Sequence, residues 1–320
     1  MSRSTKIWLA LAASLIVSGI IIFGVIMSML KWDITKLGTA KYETNNYGFD
    51  ESFKNISVNT DTADVIFLRS EDGTCRVVCH ENKKAKHATF VSDDTLYINT
   101  VDERKWYDHI GIIFDAPEIT VYLPLGEYGN LTVNNSTGDV KIPESFSFES
   151  IDIQSSTGDV ECRADINGGV KITLSTGDVE LENISAGKVD ISVTTGDIEI
   201  SALNCDGDIK IKVTTGDTHI ENATSKSLIS TGSTGDMTLE NVVATESFNI
   251  ERRTGDVVLD GCDASSILVK TSTGNVHGSL LSEKIFVTRT DTGRVSVPKT
   301  TSGGTCEINT STGNIIIKIK

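Results

Sequence analysis

The sequence predicts an all-β chain, a single-stranded β-solenoid of about ten to eleven rungs behind one N-terminal transmembrane helix. Three observations predict it. A Thr-Gly corner recurs ten times between Thr137 and Gly313, with successive corner glycines 19 or 20 residues apart. Apolar and polar residues alternate on both sides of each glycine. A run of 24 uncharged residues, Ile7 to Leu30, precedes all of this.

The N-terminal run comes first in the chain. About 20 apolar residues span a bilayer core, so the segment is long enough to cross with some tilt. A cleavable signal peptide has a shorter apolar run with small residues behind it, whereas Ala10, Ala12 and Ala13 lie inside this one. The expectation is an uncleaved anchor: residues 1–6 a short cytoplasmic tail, 7–30 the transmembrane signal anchor and 31–50 a linker. Arg3 and Lys6 favour a cytoplasmic N-terminus. The protein is then a single-pass cell-membrane protein with its bulk extracytoplasmic.

Residues 51–130 read as an N-terminal β region. In "NISVNTDTADVIF", Ile56, Val58, Val65 and Phe67 surround Ala63 as apolar residues surround each later glycine. This is a degenerate first rung, and a positive φ at Ala63 would carry about 1 kcal/mol of strain. The insertion that follows contains a hairpin at Asp72-Gly73 and strand patterns in "TLYINT" and "EITVYLP". It is expected to cap the N-terminal end, as repeat arrays require.

Residues 131–320 are the solenoid repeats. Positions seven and five before the glycine are usually apolar, as are two and four after it: Ile151/Ile153 and Val160/Cys162, or Val189/Ile191 and Ile198/Ile200. That period of two describes a strand with one face in a core. Each rung is two short strands joined by a fixed Thr-Gly-Asp corner and a variable one. The corner glycines are Gly138, Gly158, Gly177, Gly196, Gly216, Gly235, Gly255, Gly274, Gly293 and Gly313. A type II turn, which needs φ > 0 at its third position, is the expected reason for them. A meander or sandwich is the alternative arrangement. It would leave a long apolar sheet face that nothing in the sequence covers, which favours coiling.

The chain stops on "NIIIKIK" with no capping segment after it. Ile315 and Ile317 are therefore candidate partner contacts on an open C-terminal edge strand, through which copies could also self-associate. Trp106 and Tyr107 are candidate contacts in the insertion.

Chemistry is sparse. A net charge of −15 argues against nucleic acid, since no excess of Lys and Arg is available to release counterions from phosphates. The six cysteines are too scattered for a disulfide framework and are expected to be free. The column Asp139, Asp159, Asp178, Asp197, Asp217, Asp236 and Asp256 is a candidate cation ladder. Capping of the turns is the competing and preferred role. It gives way to Asn275, Arg294 and Asn314 in the last repeats. No nucleophile, phosphate-binding or zinc motif stands out, so no catalytic residue, metal site or cofactor is assigned.

The stretches "FKNISVNTDTADVIF", "EITVYLP" and the repeated "STGDV" resemble a bacterial family of repeated β-strand domains of unknown function labelled "putative adhesin", with similar domains in Lia-type envelope-stress proteins. The resemblance runs from about Phe53 to Lys320. It implies a β-solenoid-like ectodomain on a membrane anchor and carries no catalytic residues. The function expected is a non-enzymatic binding module at the cell envelope, with a protein or a cell-wall glycan as partner. An envelope-stress accessory that contacts a membrane sensor is the alternative, and a polysaccharide-active β-helix enzyme a distant one.

Overall fold

The computed structural model describes residues 2–34, 40–109 and 116–320, without the side chains of Tyr107 and His109. Helix Arg3–Met29 opens the chain. Ser2 caps it by accepting the Thr5 backbone N–H. An 18-residue stretch of it reaches a mean hydropathy of 2.7 and is not buried in the protein, whereas Met27 near its end is 1% exposed. A helix this long and apolar can cross a membrane, a property shared by single-pass anchors and signal peptides. Lys31 and Trp32 follow at φ 55° and 61°, which turns the chain away from the helix axis.

The body is a β-solenoid. Ile151 pairs in parallel with Leu131 on one side and Val170 on the other, and Ile153 with Val133 and Ile172. After the corner, Val160 sits between Val140 and Val179 in the same way. A meander would pair antiparallel, so these registers exclude it. The predicted apolar positions form one continuous buried column: Ile153, Ile191, Ile200 and Leu259 are all 0% exposed. Burying such a side chain contributes roughly 1.5–3 kcal/mol, and each rung repeats the gain.

The N-terminal end closes by a change of pairing. The Ala63 rung comprises Asn55–Thr62 and Asp64–Arg69. Thr95–Asp102 and Glu118–Leu123 stack on it in parallel. Beyond them pairing turns antiparallel: Ala85–Ser92 lies on Thr95–Asp102, and Cys75–Asn82 on Glu118–Leu123. Tyr42–Phe49 then pairs with Cys75–Asn82 as the edge strand. The linker expected over 31–50 therefore ends in a strand. Its polar sequence "YETNNYGF" hides it, because only Tyr47 and Phe49 pack on the core.

The C-terminal end departs further from expectation. The last rung in sequence, Gly304–Thr312 and Ile315–Ile319, is not the last in space. It is inserted between the preceding two rungs: Ile308 pairs with Val269 on one side and Thr288 on the other. Ile315 likewise lies between Val276 and Val295. Ile315 and Ile317 are 0% and 2% exposed, so the open edge expected there does not exist. The physical reason is core composition. The final rung turns Cys306, Ile308, Ile315 and Ile317 inward, whereas the rung before it sets Thr288 opposite Ile308 and the smaller Val295 opposite Ile315. The more apolar rung takes the interior, and Lys284–Thr292 with Val295–Ser296 takes the end.

Candidate functional site

The fixed corner is a backbone ladder. Each Asp accepts, through one carboxylate oxygen, the backbone N–H of the equivalent residue on the next rung. Asp159 N–H reaches Asp139 Oδ1 at 2.9 Å, Asp178 reaches Asp159 at 2.8 Å, and Asp217 reaches Asp197 at 2.7 Å. The series starts at Asp64, which receives Asp139 N–H at 2.9 Å. It continues where the aspartates stop, because an amide oxygen also accepts: Asn314 N–H donates to Asn275 Oδ1 and Arg294 N–H to Asn314 Oδ1, both at 2.9 Å. Arg294 has no side-chain acceptor, and it stands on the terminal rung where none is needed.

The glycines in this corner are required by approach rather than by a type II turn. From Gly138 to Gly274, and at Gly313, φ lies between 129° and 158°, well beyond the value near +80° of such a turn. A Cβ on Gly177 would lie 2.1 Å from the Gly158 carbonyl oxygen, and one on Gly216 1.9 Å from that of Gly196. Any side chain would push the rungs apart. Ala63 is not at positive φ and is 2% exposed, so the expected strain is absent there.

A second column escaped the sequence reading. Six residues after the corner glycine, Asn183, Ala202, Asn222 and Asn241 adopt φ of 52° to 53°, and Gly261 65°. Asn and Gly tolerate this left-handed region, which explains their recurrence at the variable corner. Ala202 is the strained member.

A large groove lies on the outer face of the strand that precedes the glycine corner. It encloses 910 Å³ and is floored by Gly168, Gly169, Gly187 and Gly207. Ideal Cβ atoms on Gly187 and Gly207 would each lie 2.5 Å from the carbonyl oxygen of the glycine one rung below. Bare backbone therefore runs along the floor. Asp152, Lys171, Asp190 and Lys210 pair in sequence along one wall, so charge alternates from rung to rung. Lys171 Nζ is 3.3 Å from Asp152. The signal was present in "INGGVK", "SAGKVD" and "CDGDIK", where a glycine recurs nine residues before the corner. Attention to the Thr-Gly column obscured it.

Of the other predicted contacts, Trp106 is 76% exposed in a short 3-10 turn, Trp106–His109, while the Tyr107 side chain lies outside the described residues. The apolar residues exposed at the C-terminal end are Ile285, Val287 and Val295 on the terminal rung. All six cysteines are free and buried. Burial pushes the thiols of Cys75, Cys79, Cys162 and Cys306 up to about 12, which keeps them protonated while no cation is bound beside them.

The model of the Toastrack DUF4097 family matches residues 53–224 and 204–320, which is the whole solenoid with its cap. The chain belongs to this family. No curated protein matches the Toastrack chain significantly. Among solved structures, one from Bacteroides fragilis described as a "putative adhesin" is 16% identical, covers 88% of this chain and 97% of its own, and has a TM-score of 0.42. Another of that description, from Parabacteroides merdae, is 11% identical with coverage of 88% and 98% and a TM-score of 0.48. One from Parabacteroides distasonis described as a "putative lipid binding protein" is 16% identical, with coverage of 86% and 98% and a TM-score of 0.47.

Proposed function

We propose that this Toastrack protein is a non-enzymatic binding module held at the cell envelope by its N-terminal helix, and that the glycine-floored groove is its contact surface. The groove itself supports this reading. A floor of bare backbone lets a ligand approach closely and offers carbonyl oxygens and amide edges. The walls alternate Asp and Lys and so sum to little net charge. An extended, uncharged or zwitterionic polymer rich in hydroxyl or amide groups fits such a surface, and a cell-wall glycan has that chemistry. The helix Arg3–Met29 supports anchorage, with Trp8 and Trp32 exposed at its two ends where interfacial aromatics belong.

The test is co-sedimentation of the full-length protein with insoluble cell-wall glycan, compared with a Lys171→Glu/Lys210→Glu variant. Loss of sedimentation in the variant, with its melting temperature unchanged, supports the groove. Equal sedimentation of both proteins places binding elsewhere, and no sedimentation of either overturns the glycan.

The terminal rung gives the second reading a specific observation. Ile285 and Val287 are 44% and 54% exposed on a strand that pairs along one edge only among the described residues, a surface through which a membrane sensor or a second copy could add a strand.

A further inference from the structure

The cap holds a cluster that the groove reading does not use. Cys79 and Glu81 lie on strand Cys75–Asn82, and His87 on Ala85–Ser92. These strands pair with each other only at Asn82 and Ala85, because one continues each sheet of the solenoid. Their inward faces therefore meet across the end of the core. Cys79 Sγ, a Glu81 carboxylate oxygen and a His87 ring nitrogen all lie within 4.8 Å of one another. The three residues are 0%, 0% and 5% exposed. A sequence search for zinc motifs around Cys75, Cys79 and His80 misses the group, since His80 faces outward against Tyr42 and the useful histidine comes from the next strand.

We propose that Cys79, Glu81 and His87 form a binding site for a zinc-type divalent ion, which clamps the corner of the N-terminal cap. The donor set selects the metal. Thiolate, imidazole and carboxylate together are zinc ligands, whereas calcium and magnesium take oxygen alone. Zinc bonds of about 2.0–2.3 Å put two ligand atoms of one tetrahedral ion roughly 3.4–3.8 Å apart, within the span of this cluster.

Charge and protons also balance. Glu81 is a wholly buried carboxylate, held by the His87 backbone N–H at 2.6 Å, His87 Nδ1 at 2.8 Å and Asn45 Nδ2 at 2.6 Å. A dication bound by one carboxylate and one thiolate makes the buried site neutral. The ion enters between Glu81 and His87 Nδ1. The ring proton moves to Nε2, where Thr60 Oγ1 stands 3.0 Å away to accept it. Cys79 releases its thiol proton to solvent, one per ion bound. A 430 Å³ cavity lined by His87, Thr60 and Arg104 reaches the Nε2 side of the same ring. The clamp would hold together two strands that share almost no backbone pairing.

The experiment is a Co²⁺ titration of chelator-stripped full-length protein in detergent, followed by Zn²⁺ competition. The expected result is one Co²⁺ per chain, with tetrahedral visible bands and a near-ultraviolet thiolate-to-cobalt band that Zn²⁺ abolishes. Cys79→Ser should remove the near-ultraviolet band and weaken binding more than about a hundredfold, beyond the usual loss from an outer-sphere change. Cys75→Ser, on the same strand and also inward, should leave both intact. Absence of the thiolate band, or its survival in Cys79→Ser, overturns the proposal. If either variant fails to fold, X-ray absorption of the zinc-loaded wild type decides: one sulfur among nitrogen and oxygen neighbours supports the site, and a shell without sulfur overturns it.

Discussion

Gly293 stacks on Gly313, which follows it by 20 residues in the chain: a Cβ on Gly293 would lie 2.0 Å from the Gly313 carbonyl oxygen. Gly313 in turn rests on Gly274, where the corresponding distance is 1.9 Å. The chain thus skips a place after Gly274, leaves it for its own end, and returns to fill it. The hydrogen bonds follow the same order, from Gly274 N–H to Thr312 and from Gly313 N–H to Thr292. The loop between the two rungs, residues 297–303, is rich in Ser, Thr and Gly and makes the return possible.

This order predicts a contrast between residues that sequence reasoning would rank the other way. Ile317→Ala deletes buried methyl groups between two rungs and should cost about 2–5 kcal/mol. Val287→Ala lies on the exposed face of the terminal rung and should change stability by less than about 0.5 kcal/mol. Denaturant unfolding of the two variants measures both. Equal effects would mean that Ile317 is not buried between two rungs.

The two alanines at special corners should respond in opposite senses. Ala202 holds φ 52°, a region that costs an L-residue roughly 1–2 kcal/mol, so Ala202→Gly should raise stability by about 0.4–1 kcal/mol. Ala63 has no positive φ and is buried, so Ala63→Gly loosens only the unfolded chain and should lower stability by about 0.5–1 kcal/mol. Thermal melts of both variants give the signs.

These cases show where the sequence is legible. The period, the inward residues and the N-terminal cap follow from alternation around a repeated glycine, which local pattern carries. Rung order does not, because Gly274 to Gly293 and Gly293 to Gly313 have the ordinary spacing and either stacking satisfies it. Only a comparison of inward residues such as Thr288 with Ile308 distinguishes the interior rung, and its signal is small. Arg294 was a clue: an aspartate column should end in a non-acceptor only where nothing follows. Within the candidate sites, the glycines of the groove were readable and unread. The Cys79, Glu81 and His87 cluster depends on two strands that diverge, which spacing alone does not reveal.

The corner column predicts a dependence on acceptor chemistry rather than on charge. Asp178→Asn keeps an oxygen for Asp197 N–H, now held at 2.7 Å, and should be nearly neutral. Asp178→Ala removes that acceptor and should cost about 1 kcal/mol. Arg294→Ala should cost nothing measurable, as no rung draws on that side chain. Chemical denaturation of the three variants tests this, and an Asp178→Asn loss as large as that of Asp178→Ala would show that the carboxylate charge matters in itself.

Arg252 carries the last prediction. Its side chain occupies an inward position, 5% exposed, over the space that Gly232 leaves open. The guanidinium reaches Ser230 Oγ at 3.0 Å, Thr218 Oγ1 at 3.3 Å and the Glu251 carbonyl at 3.2 Å, all uncharged partners. Burial without a carboxylate lowers its pKa to about 10. The unfolded chain therefore binds this proton more tightly than the folded one, and the native state carries the full penalty at every pH below about 10. The penalty fades as pH rises above about 10. Arg252→Met fills much of the same volume without a charge, and it should raise the free energy of unfolding by about 1–3 kcal/mol at pH 7. The gap between variant and wild type should narrow at pH 11. A variant less stable than wild type at pH 7 would mean that the three hydrogen bonds outweigh desolvation, and that Arg252 is a fastener of its rungs.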